Sequence, residues 1–307
     1  MKYRVILLTC ITIGISGESK IGGVTYFDYT NAEESSAFNF NRQYFSYAVD
    51  AEDGIKFKVI FDVGRTSEDT RLVAFLKKAQ IDNKTSYGKI SMGLIGTNTY
   101  GIQEKNWGYR FIEKSAIDKN GFSSTADLGI GFSRNLIDNL NMSLQLTNGE
   151  GYKQSQGDKF HKISFNTTYG ERNLNQNDGY NVGVVYSTES SDGDPTNMIS
   201  IFGGISGSRL GVVTEYNILQ NRSLETNIIS LSANYDLRDK MDVFIRYDIF
   251  DDNKDDTVEK NGNNYLIAGV QFKCGNGLSV APNMRMTSFE DGSDAVTEYK
   301  INFQFKF

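Results

Sequence analysis

Strict alternation of apolar and polar residues over short segments is the feature that most constrains this 307-residue chain. In residues 299–307, YKINFQFKF, every odd position is apolar or aromatic and every even position is polar. Residues 55–63 and 229–237 follow the same pattern closely. Successive side chains of a β-strand point to opposite faces, so each segment is predicted to be a strand with one apolar and one polar face.

Alternation of this kind recurs along the chain and predicts about sixteen strands. Most are roughly ten residues long, which is the length that a tilted strand needs to cross a membrane. In segment 71–82 the alternation slips at Lys77 and Lys78, which predicts either a β-bulge or a helical stretch. The predicted strands are 22–30, 38–49, 55–65, 71–82, 88–96, 124–133, 140–147, 161–170, 179–188, 198–206, 210–219, 226–237, 241–250, 263–274, 278–288 and 298–307.

The connections between these strands alternate in length. Residues 51–54, 207–209 and 275–277 are short and read as tight turns, whereas the connections on the opposite side are longer and polar. A barrel inserted from one side of a membrane has short turns at its near end and long loops at its far end. The sequence therefore predicts an all-β fold, a transmembrane antiparallel β-barrel. Connection 171–179 is longer than a near-end turn is expected to be.

The N-terminus is typical of a secretory leader. Two positive charges in MKYR precede the apolar run VILLTCITIGI and then small residues, which predicts a signal peptide over 1–19 with cleavage near 17–19. Residues 20–307 then form a single barrel domain. A buried N-terminal strand or helix is the alternative. Loss of the leader removes Cys10 and leaves Cys274 alone, which excludes an internal disulfide from the mature chain.

Several function classes are disfavoured by composition. The formal net charge of −6 makes the chain a poor nucleic-acid binder. Catalysis is not expected, because the chain has one histidine, His161, and no Gly-x-Ser-x-Gly segment. No cofactor or metal site is predicted.

The last strand carries information about assembly. With an even number of strands it must pair with the first, because an open edge in a membrane leaves backbone groups unpaired. The C-terminal Phe307 on a strand of regular alternation resembles the recognition signal of bacterial outer-membrane barrels. That resemblance implies recognition by the barrel-assembly machinery and a location in the outer membrane.

The longest connection, residues 97–123, is the third far-side loop. In this position it resembles the loop of sixteen-stranded porins that folds inward, and the resemblance implies that it narrows the channel. Together with the segments FNFNRQYFSYAVD, FKVIFDVG, SSTADLGIGFS and LQLTNGEGY it resembles the phosphate-selective porin family. The resemblance covers roughly residues 38–152, while the second half of the chain matches only in strand rhythm. It implies a homotrimer. Phosphate selectivity would require ordered arginines and lysines, and the sequence shows no obvious ladder of them.

Polar positions of the strands and charges of the inward loop supply the candidate pore-lining residues. On a solvated surface such charges need no special role, but in a lumen they bias ion passage. The predicted pore-lining and constriction residues are Arg42, Lys56, Lys58, Lys105, Arg110, Glu113 and Lys114.

The predicted function is that of an outer-membrane porin, a passive diffusion channel for small hydrophilic solutes or ions, with an anion bias left open. Membrane lipid and lipopolysaccharide are its expected surroundings. One alternative is a surface adhesin or receptor barrel that uses its acidic far-side loops and conducts little. A second alternative is a water-soluble secreted β-sandwich or β-helix.

Overall fold

A computed structural model of the chain describes residues 17–65, 71–221, 224–253 and 261–307. Within these ranges sixteen strands form one closed antiparallel barrel, and each lies where alternation predicted a strand. The strands are β1 Gly17–Ala32, β2 Ser36–Ala51, β3 Ile55–Gly64, β4 Val73–Thr85, β5 Gly88–Gly96, β6 Ala126–Ile137, β7 Leu140–Thr147, β8 Lys162–Gly170, β9 Gly179–Glu189, β10 Thr196–Gly207, β11 Leu210–Asn221, β12 Leu224–Arg238, β13 Met241–Asp251, β14 Asn263–Gly275, β15 Leu278–Phe289 and β16 Val296–Lys306.

The barrel closes between its first and last strands. β1 pairs antiparallel with β16, from Val24 opposite Lys306 to Ala32 opposite Glu298. Every other strand pairs with its two neighbours in sequence, so no strand is left with an open edge. Most of the predicted leader lies outside the described residues, and residues 17–19 belong to β1.

The two faces of the wall invert the polarity of a water-soluble protein. Outward side chains such as Ile201 and Leu231 are about half exposed, at 51% and 52%, whereas inward polar side chains such as Asn217 and Asn302 are buried. Exposed aromatic residues mark both ends of the apolar belt, as in membrane barrels. This inversion excludes the water-soluble alternative. The exposed aromatic residues toward one end include Tyr47, Tyr87, Tyr169, Tyr180, Tyr235, Phe272, Phe305 and Phe307, and those toward the other include Phe38, Tyr186, Tyr247, Phe289 and Tyr299.

The two ends of the barrel differ in their connections. At the short-turn end most connections are tight, and the non-glycine residues Asn139 and Lys240 adopt the left-handed conformation that such turns require, with φ of 64° and 67°. The opposite end is called the long-loop end. It carries the connection between β5 and β6, which contains the helices α1 Gly101–Trp107 and α2 Ala116–Lys119. No helix in the described part of the chain is long and apolar enough to cross a membrane.

Two bulges in the middle of strands change which residues face the lumen. Along β1 and β2, Tyr26 pairs with Arg42 and Phe27 with Phe40, so Asn41 is the extra residue. Along β3 and β4, Ile60 pairs with Lys78 and Phe61 with Leu76, so Lys77 is the extra residue. A bulge places two consecutive side chains on the same side of the strand. The slip in alternation at Lys77 is therefore a bulge, and the helical alternative for this segment is wrong.

Candidate functional site

The connection between β5 and β6, residues 97–125, folds into the barrel and is called the inner loop. Its helix α1 lies against β9 and β10. Gln103 Nε2 donates to Ser200 Oγ at 3.1 Å, and the amides of Asn106 and Asn181 hydrogen-bond each other at 3.0 and 2.9 Å. These buried hydrogen bonds fix the helix against the wall. The predicted inward fold of this loop is confirmed.

The second part of the inner loop is attached to the opposite wall. Arg285 in β15 donates to the carbonyl of Ile112 at 2.6 Å and to the Glu113 carboxylate at 3.0 Å. Arg246 in β13 donates to the carbonyl of Lys114 at 2.5 Å. Both arginines are buried. Charge-assisted bonds of this kind are stronger than neutral ones, so they hold the loop in place.

Apolar contacts complete the attachment of the loop. The ring of Tyr109 lies 4.9 Å from that of Phe244 in β13, and Trp107 lies 5.1 Å from Tyr109. Trp107 Nε1 also donates to the carbonyl of Glu113 at 2.9 Å. Trp107 is only 5% exposed, so its role is to pack the loop rather than to present a ring to solutes.

Because the inner loop lies against β7–β16, the open part of the lumen runs along β1–β4. A cavity of about 520 Å³ lies toward the short-turn end and one of about 460 Å³ toward the long-loop end. Tyr26 and Arg110 line both cavities. The region around these two shared residues, between β1–β4 and the inner loop, is called the constriction.

Basic side chains predominate around the constriction, although the whole chain carries a net charge of −6. The short-turn cavity has a single acidic side chain on its lining, Glu104, among the described residues. The long-loop cavity has two, Asp28 and Glu113. The basic residues are Lys58, Lys77, Lys78, Arg110 and Lys306 around the first cavity, and Arg42, Arg65, Arg110, Lys114, Arg285 and Lys300 around the second.

Two cations share one carboxylate on the strand side of the constriction. Asp62 is completely buried and lies 3.4 Å from Arg42 and 3.8 Å from Lys77. Both cations also donate to the hydroxyl of Tyr44 at 2.8 Å. One carboxylate therefore offsets the charge of only one of the two cations, so the strand side has a net positive charge.

On the loop side of the constriction, one cation pairs with two carboxylates. Arg110 pairs with Glu104 at 3.0 Å and with Asp118 at 3.1 Å. Burial raises the pKa of Glu104, and the Arg110 charge only partly offsets this rise. Burial would also lower the pKa of Arg110, but Glu104 and other neighbours raise it overall. Arg110 thus keeps its charge where it lines both cavities, while one of its partners is a weaker acid than usual.

The predicted site residues lie in four different settings. Arg42, Arg110, Lys114 and Glu113 line the long-loop cavity, and Lys58 lines the short-turn cavity. Lys56 pairs with Asp50 at 3.0 Å beside the turn at the short-turn end, away from the constriction. Lys105 faces a separate recess behind the inner loop.

Sequence analysis did not select several residues that line the constriction. Lys77 and Lys78 were noticed only as a slip in alternation, although that slip is the signal of a bulge that presents both to the lumen. Tyr26 and Tyr44 read as ordinary strand residues. Their location depends on where the inner loop turns, which no local pattern in the sequence records.

The one histidine of the chain does not line either lumen cavity. His161 is exposed just before β8 at the long-loop end. Across ranges 17–65, 71–221, 224–253 and 261–307, no three His, Cys, Asp or Glu side chains are grouped to hold a metal ion.

Neither a family model nor a curated protein sequence matches this chain. Solved structures do match. OmpF of Salmonella typhi, in complex with daunomycin, has a TM-score of 0.72 and 11% identity, covering 95% of this chain and 98% of that chain. A loop-deletion mutant of the Vibrio cholerae outer membrane protein OmpT has a TM-score of 0.69 and 12% identity, covering 95% and 99%. An anion-selective porin from Comamonas acidovorans has a TM-score of 0.63 and 12% identity, covering 95% and 100%.

These similarities assign the chain to a class. It has the fold of bacterial outer-membrane porins, and it is an outer-membrane β-barrel. At such low identity the likeness concerns the fold alone. It supports a porin-like barrel in general and does not single out the phosphate-selective family.

Proposed function

We propose that the protein is a passive porin whose constriction favours small anions over cations. One observation supports the proposal: the two cavities of the open lumen are lined by Arg42, Lys58, Lys77, Lys78 and Arg110, which belong to β2, β3, β4 and the inner loop. Low-dielectric walls focus the field of such charges and raise the local concentration of ions of the opposite sign. Solutes cross by diffusion, and no catalytic step is involved.

The charge ratio at Asp62 gives this bias its direction. Asp62 is the acid that pairs with both Arg42 and Lys77. Lys58 and Lys78 add further positive charge on the short-turn side of the constriction. An anion that passes the constriction meets an excess of cations on the strand side, and a cation meets repulsion there. The resemblance to phosphate-selective porins agrees with this direction, and selectivity for phosphate itself remains a hypothesis.

Assembly and export belong to the same proposal. The N-terminal segment acts as a leader that is cleaved near residues 17–19, at the start of β1, and Phe307 is read by the barrel-assembly machinery before the apolar belt meets lipid and lipopolysaccharide. We also propose a homotrimer, since a trimer form is described for V. cholerae OmpT, at a TM-score of 0.65. On the outward face, Thr25 donates a hydrogen bond to Gln43. A polar pair within a lipid-facing belt is costly unless it is covered, which favours β1 and β2 as the subunit contact.

The test is a reversal-potential measurement in planar bilayers under a salt gradient. Lys58→Gln combined with Lys78→Gln removes two cations of the short-turn cavity, and we expect the permeability ratio to move several-fold toward cations. The matched control, Arg238→Gln with Lys240→Gln, removes two cations at the short-turn end outside the constriction and is expected to change little. The difference in permeability ratio between the constriction variant and the wild type should shrink at 1 M salt, where the Debye length falls to about 3 Å.

Two outcomes would contradict the proposal. Equal reversal potentials for the constriction variant and its control would separate these lysines from selectivity. A correctly folded barrel that gives no conductance steps would favour the adhesin or receptor alternative instead.

A further inference from the structure

The connection between β8 and β9, residues 171–178, is long for the short-turn end because it folds into the barrel. Leu174 is 3% exposed, and its Cδ1 lies 3.0 Å from the position that a Cβ on Gly204 in β10 would occupy. Asn175 contacts Gly108 at the end of α1 so closely that a Cβ there would lie 2.1 Å from Asn175 Cγ. This connection therefore packs against the inner loop from the short-turn end.

Together the inner loop and this connection enclose a recess of about 190 Å³ in the short-turn half of the lumen. At about 30 Å³ per water molecule, this volume holds a small ion with part of its hydration shell. The remaining wall is polar and comes from β4–β8. The recess is bounded by α1 and by strands other than β1–β3, so it lies beside the route through the constriction.

The neutral groups of the recess are occupied with one another. Gln145 Oε1 accepts from the backbone N–H of Asn98 at 2.9 Å, and Asn166 Nδ2 donates to the carbonyl of Asn98 at 2.8 Å. Ser164 Oγ donates to Asn98 Oδ1 at 2.7 Å. This network makes a fixed polar wall and uses up its own donors and acceptors.

Two cations in the recess have no such partner. Within the described ranges neither Lys105 nor Arg172 forms an ion pair or a side-chain hydrogen bond, and both line the recess. Burial first, and then the charge of Arg172, lower the pKa of Lys105, and burial also lowers the pKa of Arg172. Lys89 is a third cation on the lining and pairs with Asp82 at 3.5 Å.

The acidic group nearest to these cations is held by its own turn. Glu171 Oε1 accepts from the backbone N–H of Asn173 at 2.8 Å. Its charge favours the charged forms of Lys105 and Arg172 without pairing with either. The recess thus combines two accessible, unpaired cations with a rigid neutral wall, which is an arrangement that favours an anion.

We propose that this recess is a binding site for a small oxyanion of the phosphate, sulfate or carboxylate class, separate from the constriction. The planar guanidinium of Arg172 offers parallel donors to two oxygens of such an anion, and Lys105 offers a point charge. Since Lys105 belongs to the inner loop and Arg172 to connection 171–178, a bound anion links the two elements. The site requires only the folded barrel and does not depend on ion conduction.

Isothermal titration calorimetry of the full chain, folded in detergent micelles at low ionic strength, tests the site with inorganic phosphate. All proteins carry Lys58→Gln and Lys78→Gln, which weakens binding at the constriction. Adding Lys105→Gln and Arg172→Gln should reduce phosphate affinity about tenfold or more, because two charge-assisted contacts are lost. Adding Arg238→Gln and Lys240→Gln, an equal change in charge, should leave the affinity unchanged.

Equal phosphate affinity in the two sets of variants would overturn the site, provided that both show the same barrel circular dichroism. A second measurement needs no substitution. In the wild-type protein, phosphate should slow acylation of Lys105 relative to Lys240, as followed by mass spectrometry. Equal slowing of both lysines would also overturn it. Binding without conductance would contradict the proposed porin function and leave this site intact, and conductance without binding would do the reverse.

Discussion

The two sides of the lumen use arginine and lysine in opposite ways. Toward β13–β16, Arg246 and Arg285 are buried beneath the inner loop, and each donates to a loop carbonyl and a carboxylate. Toward β2–β4, Arg42 and Lys77 share the single carboxylate of Asp62 beside open lumen. Both sets are cations. The inner loop covers the first set, in which each arginine pairs with a carboxylate, and it leaves the second set with more positive than negative charge. Cover by the loop, rather than the count of charges, separates structural cations from those proposed to act on solutes.

The largest effect is expected on the free energy of unfolding, when an arginine that the inner loop covers is replaced. Arg285→Gln leaves Glu113 in a buried position without its main partner. Breaking a buried pair costs about 3–5 kcal/mol, so the free energy of unfolding should fall by about that amount. Urea unfolding in lipid vesicles measures the change. Lys300→Gln is the control, because its pair with the more exposed Glu298 is worth about 0–1 kcal/mol. Similar losses in both variants would contradict the structural role.

A smaller effect, on ion selectivity rather than on stability, is expected at Asp62 on the strand side of the constriction. Asp62→Asn removes the carboxylate that Arg42 and Lys77 share while keeping its shape. The surplus of positive charge then grows, so the permeability ratio should move further toward anions. Asp82→Asn, in the same wall but paired with Lys89 away from the constriction, is the control. A shift toward cations in Asp62→Asn would show that the surplus does not set selectivity.

The smallest effect is a dependence on pH. Burial raises the pKa of Glu104, so on acidification this carboxylate becomes neutral at a higher pH than an ordinary glutamate. Arg110 then faces less negative charge, and anion preference should rise as the pH falls through the raised pKa. Burial opposes ionisation of Glu113 too, but Arg285, the backbone N–H of Lys114 and the charges of Lys119 and Arg246 together outweigh it and lower the pKa, so Glu113 stays charged in that window. Reversal potentials measured from pH 7 downward should show a larger rise in anion preference in the wild type than in Glu104→Gln.

Much of the fold could be predicted because it depends on a local rule. Each strand separates water from lipid, so the alternation in a segment such as 299–307 indicates which side chains face lipid and which face the lumen. The constriction could not be predicted in the same way. Arg246 and the carbonyl of Lys114 meet across 132 positions of sequence, and only the path of the inner loop brings them together.

The inner loop also shows why spacing alone does not assign a role. Lys105 and Arg110 are five positions apart and equally charged, yet one faces the recess and the other the constriction. The difference arises at the end of α1, where Gly108 takes a φ of 74° and turns the chain. Glycine after a short helix predicts a bend, but the direction of the bend depends on the wall that receives it.

The bulge at Lys77 changes how many side chains one strand of the barrel can present to water. A regular strand can show water only every second side chain, so a wall of fixed height has a fixed number of places for charge. One inserted residue adds a place without adding a strand or widening the cylinder. Gain or loss of single codons in these strands is therefore a route to a different permeability, alongside exchange of one side chain for another.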